Sequence, residues 1–100
     1  MLTAELKEQV RRILAQTNGC EYCKAKGKPD PGLYDEKTSI AVGFAEVFLK
    51  YPKDNIPDFA FKLLKDSFNE AEISELCAFI CFTTAQQYFG ATMGLTPKHA

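Results

Sequence analysis

Apolar residues fall at helical spacing through almost the whole chain. In the first segment Leu2, Leu6, Val10, Ile13 and Leu14 recur at steps of three and four, which lays one buried stripe along a helix from Thr3 to Thr17. Asn18-Gly19 interrupts the pattern, and a new short helix is expected to begin near Cys20 and to stop at Gly27. Gly27-Lys28-Pro29-Asp30-Pro31-Gly32 reads as a linker. The next helix should take Asp35 as its N-cap and carry Ile40, Ala41, Phe44, Ala45, Val47 and Phe48 as far as Tyr51, where Pro52 forbids continuation. Gly43 inside it lowers helix propensity and is expected to mark the close approach of another helix. Beyond the loop Pro52-Lys53-Asp54-Asn55, a third amphipathic segment has Pro57 in its first turn. It offers Phe59, Leu63 and Leu64 for burial and ends at Phe68.

Asn69-Glu70-Ala71-Glu72 has the form of a capping box and opens the most apolar stretch of the chain. Ile73, Leu76, Cys77, Ile80, Thr84 and Tyr88 make one stripe, while Ala78, Phe79, Phe82, Ala85 and Phe89 spread apolar surface beyond it. A helix apolar on nearly every side cannot be buried by a small monomer, so part of it is expected to meet another subunit. Gly94 is the expected C-terminal cap, with Leu95 as its hydrophobic companion and Pro97 as the stop. No segment alternates as a strand does. The expected fold is all-α, about five helices forming one domain over residues 1–100.

Composition narrows the possible partners. The 12 basic and 13 acidic residues leave a formal charge of -1, so no general field attracts a nucleic-acid backbone or an anionic membrane. No apolar run approaches the ~20 residues that span a bilayer. The segment Met1-Leu2-Thr3-Ala4-Glu5-Leu6-Lys7-Glu8 is charged where a signal peptide would be apolar, which points to the cytoplasm. Four cysteines could staple a secreted scaffold, but 46% hydrophobic content with 12% aromatic residues supplies a core without staples.

In a reducing compartment Cys20-Glu21-Tyr22-Cys23 therefore reads as a redox-active or metal-binding pair. Free N–H groups at a helix start stabilise a thiolate, and Lys24, Lys26 and Lys28 add positive charge. By this argument Cys20, the nearer to the helix end, is the more acidic thiol. Tyr22 between them reads as a packing residue. Cys77 and Cys81, four apart on the apolar helix, read as core cysteines. The alternative gathers Cys20, Cys23, Cys77 and Cys81 into a four-thiolate zinc site, although structural zinc usually compensates for a core that this chain already has. The single histidine, His99, follows a helix stop and is read as incidental, which removes triad and zinc-hydrolase chemistry. Glu8, two positions from both Leu6 and Val10, sits near the edge of the polar face of its helix. It can exchange protons with the sulfurs only where the fold brings it back to them.

Glu8, eleven intervening residues and then Cys20-Glu21-Tyr22-Cys23, set within Leu14-Ala15-Gln16-Thr17-Asn18-Gly19, resemble the core of AhpD-like alkylhydroperoxidases of the carboxymuconolactone decarboxylase family. The resemblance extends through Asp35–Tyr51 and Phe68–Leu76 into the long apolar helix, and so covers nearly the whole chain. It implies a small helical domain assembled as a trimer or hexamer, without cofactor or metal. Such a domain reduces a peroxide through a dithiol–disulfide cycle and is recharged by a dithiol reductant, for some members a lipoylated protein. Carried onto this sequence, it makes Cys23 the peroxide-reactive thiol, Cys20 its resolving partner and Glu8 the carboxylate of a proton relay. The family's relay histidine, four residues after the second cysteine, is here Gly27. Two functions are thus in view: a thiol-dependent peroxidase, and a non-enzymatic oligomeric module that kept a redox-sensitive cysteine pair but lost turnover with the histidine. Carboxymuconolactone decarboxylation is disfavoured, because the likeness lies with the cysteine-bearing branch and the chain has little histidine chemistry.

Overall fold

The computed structural model describes residues 1–97, and His99 lies outside them. Five α-helices form in the expected order: α1 (Ala4–Asn18), α2 (Glu21–Lys24), α3 (Glu36–Lys50), α4 (Asp58–Ser67) and α5 (Glu70–Thr92). No strand occurs among the described residues. A single turn of 3-10 helix, Pro31–Leu33, sits inside the segment read as a linker and is held by Asp30, whose carboxylate accepts the Gly32 N–H.

The caps account for where each helix starts and stops. Thr3 Oγ1 accepts the Leu6 N–H at 3.1 Å to open α1, and Gly19 closes it in the left-handed region at φ 82°. Asp35 Oδ1 accepts the Thr38 N–H at 2.7 Å at the start of α3. The capping box of α5 is complete: Asn69 Oδ1 takes the Glu72 N–H, and Glu72 Oε1 takes the Asn69 N–H. At the far end of α5, Gly94 turns at φ 66°, so that its N–H reaches the Ala91 carbonyl while the Leu95 N–H reaches the Gly90 carbonyl at 2.9 Å. That is the Schellman closure, and it folds Leu95 back along the helix.

Helix α1 packs against α3 and α5, α3 packs against α4, and α2 fills the corner between α1 and α5. Leu14, Leu64, Leu76 and Ile80 are fully enclosed, each stabilising the fold by about 1.5–3 kcal/mol through removal of apolar surface from water. Phe44 meets the edge of Phe61 with ring centroids 5.4 Å apart. Of the candidates in α4, only Leu64 is buried; Phe59 and Leu63 are 51% and 53% exposed, and Ala60 and Phe68 face the core instead. The reason is an apolar groove of about 390 Å³ between α3 and α4, walled by Ile40, Phe44, Phe59 and Leu63. Gly43 lies in this groove, and nothing within 4 Å meets the place where its Cβ would be. The helix approach expected at Gly43 is therefore not made among the described residues.

The stripe on α5 also differs from the expectation. Leu76 and Ile80 are buried as foreseen, but the buried line continues through Thr83, Gln87 and Gly90, leaving Tyr88 exposed and Thr84 at its margin. Alternating steps of four and three carry the line past the hydrophobic core toward the turn between α1 and α2, where polar and small residues are what fit. No helix among the described residues is long and apolar enough to cross a membrane.

Candidate redox site

The turn after α1 places the two cysteines. Gly19 reverses the chain, and Cys20 becomes the N-cap of α2, its Sγ accepting the Cys23 N–H at 3.3 Å. Cys20 and Cys23 are joined as a disulfide with their Cα atoms 5.2 Å apart. The two sulfurs have different surroundings. Cys20 is 0% exposed, whereas Cys23 is half-buried. A cavity of about 270 Å³ opens beside them, with Arg11, Tyr22 and Lys26 on the α1–α2 side and Thr83, Gln86 and Gln87 on the α5 side. Gly90 and the returning Leu95 complete its wall. A Cβ built on Gly90 would stand 2.5 Å from Cys20 Sγ, so this glycine is what lets α5 lie against the buried sulfur.

Buried amides fix the α5 wall. Asn18 Nδ2 donates to Gln87 Oε1 at 2.8 Å, and Gln87 Nε2 donates to the Arg11 carbonyl at 3.2 Å. The Arg11 side chain then reaches the other wall: Nη1 donates to the Cys23 carbonyl at 3.2 Å. Its remaining guanidinium donors hold Glu8, Nε to Oε1 at 2.8 Å and Nη2 to Oε2 at 2.7 Å. Arg12 Nε also reaches Glu8 Oε2 at 2.8 Å. The Arg11 hydrogen bonds foremost, joined by those from Arg12 and by both positive charges, outweigh desolvation and hold the Glu8 carboxyl at about 2. Glu8 itself lines a different cleft, together with Gln9, Arg12 and Leu33. It is thus linked to the cysteine loop through Arg11, with both carboxylate oxygens occupied by guanidinium groups.

No family model, curated protein or solved structure matches this chain.

Gly27 adopts φ 122°, a conformation that L side chains rarely take, and the Arg12 guanidinium carbon lies 3.6 Å from where its Cβ would stand. The arginine–glutamate cluster thus occupies the space beside the position where the family resemblance expects an imidazole. Cys77 packs partly into the core and burial raises its thiol pKa, with Cys81 adding to the effect; Cys81 itself is exposed and not a core residue. Cys20 and Cys23 are bonded to each other, and no group of three or more His, Cys, Asp or Glu side chains fit to hold a metal forms among the described residues, so the four-thiolate grouping is not formed.

Nothing in residue spacing alone singles out Arg11, Gln87 or Gly90. The available signal was the register of α5: continued from Leu76 and Ile80, it passes through all three of Thr83, Gln87 and Gly90.

Proposed function

We propose that this protein is a thiol-dependent oxidoreductase of the AhpD-like type, which reduces peroxides through Cys20 and Cys23. In the reduced form the Cys23 thiolate attacks one oxygen of the O–O bond. The other oxygen leaves as an alkoxide that takes a proton, and Cys23 becomes a sulfenic acid. The Cys20 thiol then displaces hydroxide from that sulfur; water departs and the disulfide forms. An external thiol reductant returns two electrons and two protons.

The observation that carries this reading is the asymmetry of the disulfide beside a cavity that both cysteines line: Cys20 is fully buried against Gly90, while Cys23 is partly exposed. A partly exposed attacking cysteine with a buried partner suits peroxide attack followed by internal condensation. Glu8 enters as a positioning residue: it fixes Arg11, and Arg11 holds the Cys23 carbonyl. The protein would work in the cytoplasm as a homo-oligomer, a trimer or hexamer by family resemblance, that covers the outer face of α5. There Phe82 and Phe89 are 69% and 63% exposed, with Ala78, Cys81 and Ala85 exposed on the same helix.

The test is peroxide-dependent disulfide formation in the reduced protein. Cys20→Ser or Cys23→Ser abolishes it and Cys77→Ser does not. Unchanged peroxide consumption by Cys23→Ser refutes the reading. A second reading, a redox-responsive module without turnover, is favoured by the ion-paired Glu8 and the left-handed Gly27, which leave neither a free carboxylate at position 8 nor an imidazole at position 27. A protein whose dithiol cycles readily while no peroxide is consumed would select it.

A further inference from the structure

Resting on the proposed dithiol–disulfide exchange, we infer that the reductant of the Cys20–Cys23 bond is a small thiol carrying a carboxylate. The charges around the cavity are the reason. From Glu8 to Lys28 the sequence holds five cations (Arg11, Arg12, Lys24, Lys26 and Lys28) against two carboxylates, Glu8 and Glu21, and of these seven groups only Arg11 and Lys26 line the cavity. Both carboxylates are already engaged, Glu8 by Arg11 and Arg12 and Glu21 by Lys24 at 3.6 Å. Lys26 lies against the Tyr22 ring at 4.9 Å, at the rim of the cavity, and Lys28 is exposed; neither is ion-paired among the described residues.

The opposite wall does nothing to offset this charge. From Leu76 to Pro97 there is no Asp, Glu, Lys or Arg, and α5 offers the cavity only hydroxyl and amide groups from Thr83, Gln86 and Gln87. An anion entering the cavity therefore meets the Lys26 ammonium, which has no ion-pair partner among the described residues, and no acidic side chain in the lining. A volume of about 270 Å³ suits a low-molecular-weight thiol. Such a thiolate attacks the Sγ of the partly exposed Cys23, breaking the bond to Cys20, which leaves as a thiolate and takes a proton. The carboxylate of the mixed disulfide is then held near Lys26. A second thiolate attacks the sulfur of the bound reductant, releasing its symmetrical disulfide and the Cys23 thiolate, which is protonated. Two thiols lose two electrons and two protons, and the protein gains both.

The experiment measures reduction of the oxidised protein by 3-mercaptopropionate, 2-mercaptoethanol and cysteamine, which are anionic, neutral and cationic. Each rate is divided by the same thiol's rate against an uncharged reference disulfide, which removes differences in thiol acidity and nucleophilicity. At low ionic strength the normalised rate with mercaptopropionate exceeds that with cysteamine about tenfold. At 1 M salt the ratio falls below about twofold, because screening then acts over ~3 Å. In the Lys26→Glu, Lys28→Glu double variant the low-salt preference reverses. Reduction by all three thiols without charge preference, or with a preference insensitive to salt, overturns this inference and leaves the exchange chemistry standing. Failure of every thiol to reduce the disulfide removes both.

Discussion

Gly90→Ala is the substitution whose outcome depends most directly on the packing at the sulfurs. Within a helix, alanine is favoured over glycine by about 1 kcal/mol, so on propensity alone the change stabilises α5. The new methyl would, however, stand 2.5 Å from Cys20 Sγ, about 1 Å inside ordinary contact. The sulfur has little freedom to yield, being fully enclosed, bonded to Cys23 and accepting the Cys23 N–H. Overpacking of this kind costs about 1–3 kcal/mol, which leaves Gly90→Ala less stable than the parent by up to about 2 kcal/mol in the oxidised form. In a Cys20→Ala background the sulfur is gone and the next contacts, the Cys20 Cβ at 3.5 Å and Leu95 Cδ1 at 3.9 Å, are ordinary. There the same change stabilises by up to about 1 kcal/mol. Urea unfolding of the four proteins measures both differences, and the contribution of the disulfide cancels within each background. The oxidised parent loses more than the reduced one, so Gly90→Ala also makes the disulfide easier to reduce, by about 30 mV for each 1.4 kcal/mol of difference. Equal effects of Gly90→Ala in the two backgrounds would refute the contact as the reason for glycine at this position.

Two further outcomes follow from the polar network. The Glu8 carboxyl is held at about 2, below its ordinary 4.5, so the ionised form is favoured in the folded protein. Its contribution is fully present above about pH 4.5 and is lost as pH falls toward 2; for a side chain 39% exposed, screening leaves it near 1 kcal/mol. Glu8→Gln should remove that part of the acid-unfolding curve, and an unchanged curve would count against the clamp. Gln87→Leu leaves the Asn18 amide and the Arg11 carbonyl without their buried partner, and should cost about 1–3 kcal/mol in thermal or urea unfolding. Adding Asn18→Leu recovers part of that loss, since a vacancy shared by two apolar side chains leaves fewer unpaired groups.

Helix order and most boundaries were legible because they depend on local chemistry: Asp35 and Asn69 as caps, Pro52 as a stop and Gly94 as a left-handed turn each act over a few residues. The pairing of Cys20 with Cys23 was one of the alternatives that their spacing left open. Phe59 and Leu63 show where periodicity falls short. A helical stripe identifies an apolar face, but it does not say whether a neighbour lies close enough to cover it, and between α3 and α4 a groove remains. Gln87 falls outside the expected stripe for the converse reason, since an isolated amide reads as surface until a partner from a distant helix meets it. Arg11 was hidden among the charges of α1; its importance lies in three contacts made to residues as far along the chain as position 87.

Those contacts give one residue a double grip. The Arg11 side chain holds the loop carrying Cys23, while its main-chain oxygen holds Gln87 on the facing helix. Both sides of the cleft are hung from the same peg, so its width is set by one turn of α1 and not by how two independent surfaces settle. Loosening that turn would widen the passage to the sulfurs at a single stroke.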